Sequence, residues 1–193
     1  MNDVWAWLIA NQVELLATAT GALSVWLTVR QNPWCWPVGL VNAVTYTYVF
    51  FEIKLYADTG LQIVYFFLGI YGWYHWLWPS KTTTELPVTR LTRPEWAVAL
   101  AMIALFTLFW GTLFSHTDAA YPWLDSLTVG MSLAAQWMIT QKKLENWILW
   151  IIADIIMVPM YASKGIWLTS GLYILFLVLA VAGWREWRRV CVA

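Results

Sequence analysis

The chain has 193 residues, 61% hydrophobic and 11% charged, with eleven basic residues balancing eleven acidic ones. That length is one domain, residues 1–193, and soluble domains average about 25% charged residues. The composition therefore excludes ordinary soluble, disordered and disulfide-stapled classes, and zero net charge leaves no global basic field to hold nucleic acid.

Seven apolar runs approach the length of about 20 residues that a helix needs to cross a bilayer. The first is Trp5–Val29, and Met1-Asn2-Asp3-Val4 before it lack the basic stretch of a cleavable signal. The second, Trp34–Phe51, puts Gly39, Asn42 and Tyr46 on one face. The third, Leu61–Trp78, carries a stripe of Gln62, Tyr65, Gly69, Gly72 and Trp76. Its glutamine suits an amide or hydroxyl, and its glycines permit close helix approach. Pro79–Glu95 is the only real linker, and Trp96–Phe114 is the fourth span. The fifth, Trp123–Thr140, runs Asp125, Thr128, Ser132 and Gln136 along one side. The sixth, Trp147–Tyr161, places Trp147, Trp150, Asp154, Met157 and Tyr161 on one face, with Pro159 expected to kink it. The seventh, Ile166–Gly183, has Tyr173, Phe176, Ala180 and Gly183 in line with Trp187.

The fold class is an all-α integral membrane protein with seven transmembrane helices. Helices are expected because lipid cannot satisfy open backbone groups, and the runs lack the alternation of a barrel. With the N-terminus outside, the inner segments hold Arg30, Lys81, Arg90, Arg93, Lys142, Lys143, Arg185, Arg188 and Arg189, against Lys54 and Lys164 outside. That bias predicts N-out and C-in. Trp5, Trp7, Trp34, Trp36, Trp76, Trp78, Trp96, Trp123, Trp184 and Trp187 sit at run ends, where an interfacial aromatic belt is the expectation.

Sliding the chain along itself by 111 residues brings Trp26 onto Trp137, Trp36 onto Trp147, Gly60 onto Gly171, Gly72-Trp73 onto Gly183-Trp184 and Trp76 onto Trp187. The halves are residues 14–76 and 125–187, each with three spans, and the span 96–114 joins them. Three spans plus one is even, so both halves cross in the same direction. This predicts a 3+1+3 parallel repeat with a binding site near the midplane of the seam, a usual carrier design.

Asp154 is the leading candidate at that seam. A charged Asp at mid-membrane costs about 2.5–3.5 kcal/mol on the insertion scale, so it should face protein, water or ligand. Asn42 is its nearest polar counterpart in the first half; it serves a ligand or bonds a neighbouring helix, and both readings stay open. Gln136 carries the same ambiguity. His75 and His116 lie at span ends, so Ser132 has no base within a span and an enzyme is not expected. No metal or cofactor motif is present, and Cys35 and Cys191 form no framework.

Trp36-Pro37-x-Gly39, Leu55-Tyr56, Leu61-Gln62, Tyr71-Gly72-Trp73-x-x-Trp76 and Glu145-Asn146-Trp147-x-x-Trp150 together resemble the PnuC family of bacterial vitamin transporters. The resemblance covers nearly the whole chain. It implies a SWEET-like 3+1+3 fold in the inner membrane and facilitated uptake of nicotinamide riboside, with a cytoplasmic kinase trapping the vitamin as its phosphate. It also points to Gln62, Asn146, Trp147 and Trp150 as substrate residues, with Asn42 beside them; Tyr65 shares the Gln62 stripe. Asp154 departs from the Asn expected in much of the nicotinamide riboside branch. Nicotinamide riboside and thiamine are both cations with aromatic rings, and a carboxylate with indoles suits either. A proton-coupled carrier using Asp154 is a further alternative, and whether copies form a homo-oligomer is left open.

Overall fold

The computed structural model describes residues 12–52, 56–79, 85–117, 121–163, 165 and 167–192. Among them run α1 (Gln12–Val29), α2 (Cys35–Glu52), α3 (Tyr56–Leu77), α4 (Arg93–Ser115), α5 (Pro122–Thr140), α6 (Asn146–Ser163) and α7 (Trp167–Val190). Trp5 and Trp7, at the start of the first predicted span, lie outside the described residues. Helices of 18 to 24 residues span about 27–36 Å, which brackets a hydrocarbon core of about 30 Å. The segments Arg93–Ser115, Asn146–Ser163 and Thr169–Val190 are long and apolar enough to cross a membrane.

Each predicted span coincides with a helix, and the ends differ by physical cause. α7 continues past Gly183 to Val190 because falling hydropathy marks the edge of lipid, not the end of a helix. The Glu186–Arg189 pair at 3.4 Å lies at helical spacing in this polar extension. α4 starts at a capping box, Thr92 with Glu95, which satisfies two of the first turn's open N–H groups. α6 runs through Pro159 without interruption.

α1 packs on α2 and α7, α2 on α3, α3 on α5, and α6 on α5 and α7. Residues 12–77 therefore meet residues 122–190 through two contacts, α1 on α7 and α3 on α5. α4 packs on α5, burying Ala99, Ile103 and Gly111, while Leu100, Leu105 and Phe109 point outward. Gly111 makes room for the Trp123 ring.

One end of the bundle is closed. Thr89 N–H donates to the Lys142 carbonyl at 3.1 Å, and Leu144 N–H donates back to Thr89 at 2.9 Å. Val192 N–H donates to the Val88 carbonyl at 2.9 Å, and Leu91 N–H donates to the Glu145 carboxylate at 2.9 Å. The linker and the tail are thus stitched onto the α5–α6 loop.

Two tryptophan pairs sit in this end. Trp36 and Trp76 meet edge to face at 5.3 Å, and Trp147 and Trp187 do the same at 5.4 Å. Trp36, Trp76 and Trp187 are at most 5% exposed, which corrects their assignment to the interfacial belt. Glycine makes room for one ring of each pair: a Cβ at Gly72 would overlap the Trp36 ring, and one at Gly183 would lie 2.5 Å from the Trp147 ring. Trp76 and Trp187 are held inside by indole N–H bonds to Ile139 and to Thr28 and Val29. Trp34, Trp78 and Trp123 are exposed, as belt residues are.

Candidate functional site

α6 packs on α5 and α7 and carries the buried carboxylate among the candidate residues. Asp154 is 2% exposed, and no hydrogen bond or ion pair to it is found among the described residues. Ile152 and Ile155 on the same helix face outward, so the helix turns its carboxylate inward and its branched apolar chains toward lipid. Burying an unpaired carboxylate is costly.

One tyrosine links it to further aromatic side chains. Tyr173 of α7 lies within electrostatic range of both Asp154 and Tyr65 and is hydrogen-bonded to Tyr161. The Tyr161 and Tyr173 rings stack at 5.2 Å with planes 7° apart, and Phe176 meets Tyr173 edge to face at 6.0 Å. Tyr65 of α3 hydrogen-bonds the Ser132 side chain of α5 across the seam. A series of pairwise interactions therefore links Asp154, Tyr173, Tyr161, Tyr65 and Ser132 across four helices.

Asn42 is half-buried and donates to the Ala17 carbonyl at 2.5 Å and to Thr20 Oγ1 at 3.3 Å. Its amide is thus tied to α1 in its own half, beside Gly21, where Phe176 also approaches. Gln62 and Gln136 are half-buried, with no hydrogen bond among the described residues. Trp150 is partly buried and touches both apolar clusters of the bundle. Asn146 and Trp147 lie apart from this centre, in the closed end. Asn146 Nδ2 donates to the Lys143 carbonyl at 2.6 Å, while its Oδ1 and the Trp147 Nε1 are enclosed without partners.

Sequence reasoning placed Ser132, Tyr161, Tyr173 and Phe176 on the right faces without naming them as site residues. It passed over Gln31 and counted Lys142 only as a topology charge. Both adopt left-handed backbone, φ 53° and φ 47°, they stand 111 residues apart, and Lys142 Nζ donates to Gln31 Oε1 at 3.3 Å. The repeat spacing was the signal that could have found them. Burial holds the Lys142 pKa below its ordinary 10.5, opposed by Glu85 and Cys35.

No cluster of three or more His, Cys, Asp or Glu suited to a metal is found among the described residues. A bundle of apolar helices with a polar, aromatic-walled seam defines a multi-pass membrane transporter rather than an enzyme. The comparisons give the family. Residues 11–189 match the family model described as nicotinamide mononucleotide transporter. The chain is 30% identical to the nicotinamide riboside transporter PnuC of Escherichia coli over 91% of this chain and 84% of that one. It is 23% identical to the riboflavin/roseoflavin transporter RibM of Streptomyces davaonensis, over 95% and 84%. A solved structure described as the crystal structure of the vitamin B3 transporter PnuC superposes with a TM-score of 0.74 at 25% identity, covering 98% of this chain and 86% of that one. The chain belongs to the PnuC family of transporters.

Proposed function

We propose that this protein facilitates uptake of nicotinamide riboside across the bacterial inner membrane. The observation that carries the reading is Asp154, a buried carboxylate without a counter-charge, in a family whose relatives include nicotinamide riboside transporters. A pyridinium cation supplies the missing charge, and the tyrosines supply ring faces and hydroxyls for an aromatic ring and a ribose. Gln62, Tyr65, Gln136 and Trp150 complete the wall, with Asn42 at its α1 side. Asn146 and Trp147 take part where the seam narrows toward its closed end.

The chain works as a 3+1+3 parallel repeat, residues 14–76 and 125–187 about the joining helix, with the N-terminus outside and the closed end facing the cytoplasm. The matched tryptophan pairs of the two halves support that repeat. A cytoplasmic kinase traps the vitamin as its phosphate, whose negative charge an apolar seam rejects.

The test is uptake of labelled nicotinamide riboside and thiamine into proteoliposomes. Saturable equilibration of nicotinamide riboside is expected. Faster thiamine flux would reassign the vitamin, accumulation under an imposed pH gradient would make the carrier proton-coupled through Asp154, and no flux above empty liposomes would end the reading.

A further inference from the structure

Lys142 stands on the seam at its closed end. It is 6% exposed, its ammonium lies 4.5 Å from the Trp76 ring centroid, and it hydrogen-bonds Gln31. No carboxylate lies within ion-pair distance of it among the described residues; Glu85 acts only from further off. Around it, Trp76 Nε1–H donates to the Ile139 carbonyl at 3.0 Å, and Trp187 Nε1–H donates to Thr28 and Val29 at 3.1 and 3.2 Å. These bonds join opposite halves and seal the seam.

A seal alone does not need the ammonium. Gln31 holds the matching left-handed position in the other half with a neutral amide, and burying a cation without a carboxylate at ion-pair distance is unfavourable. The charge has a use where it stands. The carboxylate of Asp154, deeper in the bundle, attracts any small cation that reaches the seam, and a fixed positive charge in a low-dielectric neck repels the next one.

We propose that Lys142 is the charge-selective element of the closed end, making it tight to inorganic cations and hydronium. The proposal rests on the transport reading above. Because Lys142 belongs to the α5–α6 loop, separation of the halves carries its charge out of the neck together with the seal.

The experiment measures Na+ and proton influx into proteoliposomes without vitamin, under an inside-negative potential, for wild type, Lys142→Gln, Lys142→Met and Lys142→Arg. Gel filtration and helical circular dichroism establish which variants fold, and either neutral variant suffices. The neutral variants are expected to leak about tenfold or more above wild type while Lys142→Arg stays tight. Neutral variants as tight as wild type overturn the proposal, as does an arginine variant that leaks equally. Vitamin uptake by wild type in the same liposomes separates the two readings: uptake with tight neutral variants removes only the role of Lys142, and no uptake removes the transport reading beneath it.

Discussion

Trp76 and Trp187 face each other at 6.1 Å across the seam, and each donates its indole N–H to a carbonyl in the last turn of a helix of the opposite half. Each half thus caps the end of the other. Replacing either ring by phenylalanine removes the donor and thins the seal. A net hydrogen bond is worth about 1 kcal/mol, and the lost ring area adds to it. We expect Trp76→Phe and Trp187→Phe to lower the melting temperature in detergent by similar amounts. A loss in one variant only would mean that the two halves contribute unequally.

The glycines under the buried indoles are a sharper test of packing. Gly72→Ala and Gly183→Ala force a methyl into Trp36 and Trp147, and overpacking costs about 1–3 kcal/mol. Gly60 and Gly171 occupy matching helix positions with nothing within 4 Å of an added Cβ. Alanine there should stabilise by about 0.5–1 kcal/mol through helix propensity. Thermal unfolding of the four variants should fall into these two pairs.

Asp154→Asn keeps the shape of the site and removes its charge. A hydrogen bond to a charged group is worth about 1.5–3 kcal/mol, so affinity for a cationic vitamin should fall roughly 10- to 100-fold by titration calorimetry. Because the carboxylate has no partner among the described residues, the melting temperature should hold or rise. Trp150→Ala should likewise reduce binding while the protein folds. Wild-type affinity in both variants would place the site elsewhere.

Lys142 gives stability a pH dependence. Its folded pKa lies below the ordinary 10.5, so the unfolded chain binds more protons between those two values. Stability therefore rises as pH climbs through that window. The difference in melting temperature between wild type and Lys142→Met, followed from neutral pH to pH 10.5, should shift in favour of wild type. A constant difference would mean that the ammonium is as well accommodated in the fold as in water.

The spans, their order and the faces carrying Asp154, Tyr65 and Tyr173 were legible from composition and helical spacing alone. An apolar run must become a helix in lipid, and three- and four-residue spacing then assigns each face. The 111-residue offset exposed the paired Gly-Trp motifs by the same local logic. Which partner each side chain meets depends on how helices distant in sequence pack. Trp36 looks like an interfacial residue until Gly72 opens room for it, and Trp76 and Trp187 until each finds a carbonyl of the opposite half for its indole N–H. Asn42 reads equally as a ligand group or a helix-bonding amide, and only the fold shows its Nδ2 donating to Ala17 and Thr20. The Gln31–Lys142 bond and the stitching of Thr89 to Lys142 lie in loops, where no periodicity exists. Only tertiary packing decided them, because a contact between distant segments leaves no pattern in either segment by itself.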